Sequence, residues 1–142
     1  MNIKPLREGF KLPTRSTDLA GGYDIYMPEP GSLVARGSYG VMFPLGFAAA
    51  VPKGHVALLL PRSSAGCKAG LSLNNTVGVI DADYRGEWMA NLRVHNIDRL
   101  EWSQHERLLQ FLIVPVWTPI LNIVEDLDST DRGTGGFGST GK

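Results

Sequence analysis

Nine prolines and seventeen glycines cut this 142-residue chain at short intervals. Proline removes a backbone donor and clashes inside a helix, and glycine weakens helix and strand interiors. Most of what lies between these breakers is short and rich in Val, Ile, Leu, Phe and Tyr, which is strand composition. The predicted strands are 23–27, 33–35, 40–43, 47–51, 56–60, 88–96, 107–114 and 120–125. In "ANLRVHNI", apolar Leu92, Val94 and Ile97 are separated by Arg93 and His95, a partial alternation that gives a strand one buried face. One short helix is expected, starting near Ser63 in "SSAGCKAG" and stopping by Gly70. Many short strands with regular turn signals predict an all-β sandwich or barrel.

A chain of this length fits one domain and can bury a core without disulfides or a structural metal. The 14 basic and 14 acidic residues cancel, which argues against life on a nucleic-acid backbone. The single cysteine, Cys67, cannot make an intrachain disulfide and reads as a small packing residue in a reducing, cytoplasmic setting. The apolar stretches "GVMFPLGFAAAV" and "LLQFLIVPVW" are interrupted by Pro44, Gly46 and Pro115 and fall short of a membrane helix. No N-terminal apolar segment resembles a secretion signal.

Three internal stretches carry candidate chemistry. "PRSSAG" follows the strand "HVALLLP" and opens the short helix, so Arg62 and two hydroxyls gather where helix N–H groups favour an anion. It also reads as a plain serine cap beside a surface arginine. "NNTVGVIDADYRGEW" has two apolar runs around turn glycines and reads as a hairpin with an adjoining bend. A hairpin offers backbone donors and acceptors edge-on to a flat heterocycle, and Asn75 adds an amide. Asp81, at a strand end and partly sheltered, is a candidate general base for activating water, and Tyr84 can lay its ring against a sugar. The bland reading makes Asp81, Asp83 and Gly86 ordinary turn formers. In "AGGYDIY", Asp24 can orient waters around magnesium, or it is a solvated residue at a strand start.

The chain ends in "RGTGGFGSTGK", five glycines around one aromatic ring, which cannot build a core. Arg132, Ser139 and Thr140 can donate to phosphates, glycine-rich backbone can wrap an anion, and Phe137 can stack on a base. A disordered terminus is the alternative. "GSTGK" is not a phosphate-binding loop of the strand–loop–helix kind, because Lys142 is the last residue and no helix follows. The acidic run "EDLDSTD" divides the chain into a domain at 1–129 and a flexible arm at 130–142.

Together these pieces suit a nucleoside triphosphate, and in this order they resemble the five motifs of the trimeric dUTP pyrophosphatases (dUTPases). "AGGYD", "PRSSAG", "GVIDADYRGE", "ERLLQFLIVP" and "RGTGGFGSTG" are similar to the first to fifth motifs. The resemblance implies a distorted, jelly-roll-like β-barrel, a homotrimer with shared active sites, and hydrolysis of dUTP to dUMP and pyrophosphate with Mg²⁺. It implies that Asp81 activates the water that strikes the α-phosphorus. Asn75, Val79 and Ile80 would read uracil, and Tyr84 would pack under the deoxyribose and leave no room for a 2′-hydroxyl, with Met89 lining the nucleoside site. Arg62, Ser63, Ser64 and Gly66 would hold phosphates, with Gln110 near the α-phosphate and Asp24 ordering waters of the Mg²⁺ shell. In the arm, Phe137 would stack on uracil while Arg132, Gly136, Ser139 and Thr140 close on the phosphates. His105 stands where the family's fourth motif usually begins with glycine, and Leu109 is bulky where the family often has a small residue.

Two rivals share the fold. A dCTP deaminase needs a glutamate on the strand after the third motif, and "WMANLRVHNI" has no carboxylate. A nucleotide-gated interaction protein would bind dUTP chiefly to engage a partner. A purely structural β-trimer would have no use for the arm's chemistry.

Overall fold

The structure, a computed structural model, describes residues 1–35 and 39–136. Eleven strands and one helix follow in the order β1 Asn2–Pro5, β2 Tyr23–Ile25, β3 Gly31–Val34, β4 Val41–Pro44, β5 Phe47–Ala50, β6 His55–Pro61, α1 Ser63–Ala69, β7 Ser72–Leu73, β8 Gly78–Ile80, β9 Met89–Arg93, β10 Arg99–Trp102 and β11 Leu109–Pro115. The fold is thus mostly β with one short helix among the described residues. It is consistent with a jelly roll, although its sheets do not close into a continuous barrel. A four-stranded sheet runs β2-β11-β6-β8, a three-stranded one β4-β9-β7, and β1-β5 and β10-β3 form two further pairs. The longest pairing joins β11 to β6, from Leu109 opposite Pro61 to Pro115 opposite His55.

Alternation explains the core. Ala57 and Leu59 on β6, Leu109 and Phe111 on β11, and Ala90 and Leu92 on β9 all point inward and are buried. Each large apolar side chain fully buried this way stabilises the fold by about 1.5–3 kcal/mol. Trp88 lies at the centre, its ring 5.0 Å from Phe47 and 5.2 Å from Phe111. The helix stops where expected: Gly70 takes φ +63° and its N–H caps the carbonyl of Ala65.

Some expectations change. No strand forms over 120–125; Ile120, Leu121 and Ile123 are exposed there, and no strand among the described residues pairs with them. β1 and β10 were not anticipated, because "NIKP" and "RLEW" are too polar or too short to register as strands. Cys67 is exposed on the helix rather than packed. No helix among the described residues is long and apolar enough to cross a membrane.

Candidate active site

The site begins at the ends of three neighbouring strands. β6 stops at Pro61 and hands the chain to Arg62, whose backbone N–H still pairs with the Leu108 carbonyl at 2.8 Å. On the far side of β11, Asp24 lies in β2 opposite Gln110. Gln110 Nε2 donates to the Pro61 carbonyl at 3.1 Å, so this amide is turned toward the start of the helix. Asp24, Arg62 and Gln110, expected from three separate motifs, therefore meet at one strand end.

Of the two readings of Asp24, the solvated residue at a strand start does not hold. Asp24 is 5% exposed and ion-paired at both oxygens. Arg62 Nε approaches Oδ1 at 2.8 Å and Arg107 Nη1 approaches Oδ2 at 3.1 Å, while Ser16 Oγ donates to Oδ2 at 3.1 Å. A buried carboxylate requires such partners. Two guanidinium groups on one carboxylate leave the cluster net positive. Arg62, Ser64, Lys68, His105 and Arg107 line a cleft of about 490 Å³ beside it. Ser63 and Ser64 are exposed, and no side chain caps the helix start. Gly66 lies in the first turn, its N–H pairing with the Arg62 carbonyl at 2.9 Å. The arrangement offers fork-shaped and hydroxyl donors suited to phosphate oxygens.

Sequence reasoning missed Arg107 as a site residue, although it sits inside "ERLLQFLIVP", three residues before Gln110. His105 occupies the position usually taken by glycine at φ +66°, a left-handed conformation unusual for a side-chain-bearing residue. Its backbone N–H pairs with the Met27 carbonyl at 2.8 Å and its Nε2 lies 3.1 Å from the Gly9 carbonyl, so the turn is kept.

The second group of residues lies on β8 and the loop after it. β8 pairs with β6 on one side only, so its other edge presents free backbone groups among the described residues. Val79 is 57% exposed on that edge and Ile80 is half-buried. Asn75 sits at the exposed tip of the preceding turn, where Thr76 takes φ +69°. Asp81 follows β8 directly and is exposed in the single chain, not sheltered as expected. Its carbonyl accepts the Tyr84 N–H at 3.2 Å. Tyr84 Oη donates to the Glu87 carbonyl at 3.0 Å. Met89 is half-buried at the start of β9, opposite Pro44.

These two groups stand apart. Ile80 pairs with Ala57, so Asp81 falls beside the start of β6, whereas Arg62 follows its end. At about 3.3 Å per residue, the strand separates them by roughly 17–20 Å. Arg132 joins neither group: its Nε donates within the arm, to the Gly135 carbonyl at 3.1 Å. Gly136 is exposed. Phe137, Ser139 and Thr140 lie outside the described residues.

Among the described residues, the carboxylate expected to order waters around magnesium is Asp24. No group of three or more His, Cys, Asp or Glu converges among the described residues, and both oxygens of Asp24 are held by arginines.

The chain matches the dUTPase family model over residues 8–141. It is 40% identical over 146 residues to the deoxyuridine 5'-triphosphate nucleotidohydrolase of Maricaulis maris, covering 99% of this chain and 95% of that protein. The dUTPase of Staphylococcus bacteriophage 80alpha, solved with dUpNHpp, superposes with a TM-score of 0.88 at 28% identity, covering 99% and 98% of the two chains. A variant of the phage phi11 dUTPase, described for its coordination of a structural Mg(II) ion, superposes with a TM-score of 0.78 at 25% identity over 88% and 96% of the chains. With its motifs in order and its fold shared across nearly its whole length, the chain belongs to the dUTPase family.

Proposed function

We propose that this chain hydrolyses dUTP to dUMP and pyrophosphate, with Asp81 activating a water for attack on the α-phosphorus. The observation that carries the reading is that β8, with one edge unpaired, runs directly into Asp81 and Tyr84. A free strand edge pairs with uracil as it would with another strand. Asn75, Val79 and Ile80 read the base, Met89 lines the nucleoside site, and the Tyr84 ring lies against the deoxyribose. Asp81 is left beside the α-phosphate. Arg62, Ser63, Ser64, Gly66 and Gln110 hold the phosphates, and donors fixed in place stabilise charge as it develops there.

The separation of Asp81 from Arg62 along β6 supports a shared site. One triphosphate cannot span both groups within a chain and remain in contact with each, so Asp81 of one copy works with Arg62 of another. A homotrimer satisfies this with three equivalent sites. The exposed apolar side chains at Trp117, Ile120, Leu121 and Ile123 supply surface for such assembly.

Mg²⁺ enters with the triphosphate as part of the substrate. Asp24 acts first by holding Arg62 and Arg107, and it reaches waters around the ion only through lone pairs left over from those contacts. The arm at 130–142 closes over the nucleotide, Phe137 on the base and Arg132, Gly136, Ser139 and Thr140 at the phosphates. Ordering it costs roughly 1–2 kcal/mol per fixed residue, so only a ligand with both base and γ-phosphate closes it. The single cysteine suits a cytoplasmic enzyme.

The test is pyrophosphate release from dUTP, dCTP, dTTP and UTP with Mg²⁺. Release from dUTP alone is expected. Ammonia from dCTP would move the reading to a deaminase, although β9 carries no carboxylate. Tight dUTP binding without release would favour a nucleotide-gated interaction protein.

A further inference from the structure

Glu87 has no place among the nucleotide-binding residues proposed above, yet three segments converge on it. Arg7 Nε donates to its Oε1 at 2.6 Å and Arg7 Nη2 to its Oε2 at 3.1 Å, a two-pronged contact across eighty residues of sequence. The Gly46 N–H donates to Oε1 at 3.2 Å. Gly46 takes φ +82° in its turn, and its carbonyl accepts the Leu6 N–H at 2.9 Å, so the same turn also fixes the residue before Arg7. The other end of Glu87 matters for the site: its carbonyl accepts the Tyr84 hydroxyl. The ring lies close over Gly86, where an added Cβ would come within 2.4 Å of Tyr84 Oη.

We propose that the Arg7–Glu87 pair is a positioning device for Tyr84: it fixes the Glu87 carbonyl, which sets the tilt of the ring and so the discrimination against a 2′-hydroxyl. The proposal rests on the reading that Tyr84 lies against the deoxyribose. Steric rejection of one hydroxyl requires a wall held to a fraction of an ångström, and an exposed loop alone does not hold one. The planar guanidinium fork matches a carboxylate and fixes direction as well as distance. The Arg7 contact also holds the Glu87 carboxyl below the ordinary glutamate range, against the opposing effect of burial.

The test compares kcat/KM for dUTP with kcat/KM for UTP in the full-length enzyme. The amount of folded protein cancels in that ratio, so a merely structural role leaves it unmoved. Arg7→Met and Glu87→Gln should each lower the dUTP preference about tenfold. Their double variant should lower it no further, and Arg7→Lys should restore part of it. Glu87→Gln keeps an acceptor for Gly46, which guards against a failure to fold. Tyr84→Ala is the reference that separates the two ideas. If it loses the preference while Arg7→Met and Glu87→Gln keep it, the sugar reading stands and the positioning proposal is overturned. If Tyr84→Ala keeps the preference, the sugar reading fails and takes the proposal with it.

Discussion

Asp24 and Arg62 meet at 2.8 Å although β2, which holds Asp24, and β6, which ends just before Arg62, are separated by β11. They reach each other over the strand end, where Arg107 takes the second carboxylate oxygen. An arginine that is to hold a phosphate needs a fixed direction as well as charge. Asp24→Asn keeps the shape and removes the charge that holds both guanidinium groups. It is expected to lower stability by about 1–3 kcal/mol. It should also weaken dUTP binding about tenfold more than deoxyuridine binding, because the loss falls on the phosphates. Thermal denaturation and calorimetric titration with the two ligands check this. Equal losses for nucleotide and nucleoside would remove Asp24 from phosphate recognition.

Asp81→Asn separates binding from chemistry. The amide fits the same place after β8 but cannot take a proton from water. Turnover should fall at least about a hundredfold, the usual contribution of a placed general base. Affinity for a non-hydrolysable dUTP analogue should change less than about threefold. Stopped pyrophosphate release with unchanged binding is the expected pair of results; unimpaired turnover would leave the water without its base.

Much of this site was legible in the sequence because its residues lie in short local patterns. Arg62 at the start of a helix, Gly70 at its end, and Asp81 after "GVI" each follow from neighbours a few positions away. The burial of Asp24 was not legible, because it is decided by Arg107 and Arg62, which only strand pairing brings near. The exposure of Asp81 has a similar cause: no described segment of the chain folds over it. The Arg7–Glu87 contact was invisible for the same reason. The extended 120–125 segment has strand composition, but composition does not supply a partner strand.

Glu87 makes stability depend on pH. Arg7 lowers its folded-state pKa, so the unfolded chain binds the proton more readily than the folded one. The stabilisation is therefore fully present above the ordinary glutamate range and is lost as pH falls through the lowered folded value. Glu87→Gln lacks this contribution at every pH. The difference in Tm between wild type and Glu87→Gln should be constant above about pH 5 and should shrink below it. A gap that stays constant into acid would show that the carboxylate's charge contributes nothing.

The chain after β11 has two different compositions and should perform two separable tasks. Residues 116–129 carry Trp117, Ile120, Leu121, Ile123 and Leu127, all exposed in the single chain. Exposing so much apolar surface in water is unfavourable by about 25 cal/mol per Å², which the proposed assembly with further copies would relieve. Residues 130–142 are glycine-rich and bury nothing within the chain among those described. Deleting 130–142 should leave the assembly and its Tm nearly unchanged while lowering kcat/KM for dUTP at least about tenfold, since closure is lost. Ile123→Asp in the full chain should do the reverse first: it places a charge in the apolar contact, so the copies separate on dilution. Activity should then fall with the fraction assembled, because Asp81 and Arg62 cannot meet within one chain. Sedimentation velocity and pyrophosphate release across a dilution series distinguish the two. A fully active monomer of the Ile123→Asp variant would overturn the shared site, and a fully active 1–129 chain would overturn the closing arm.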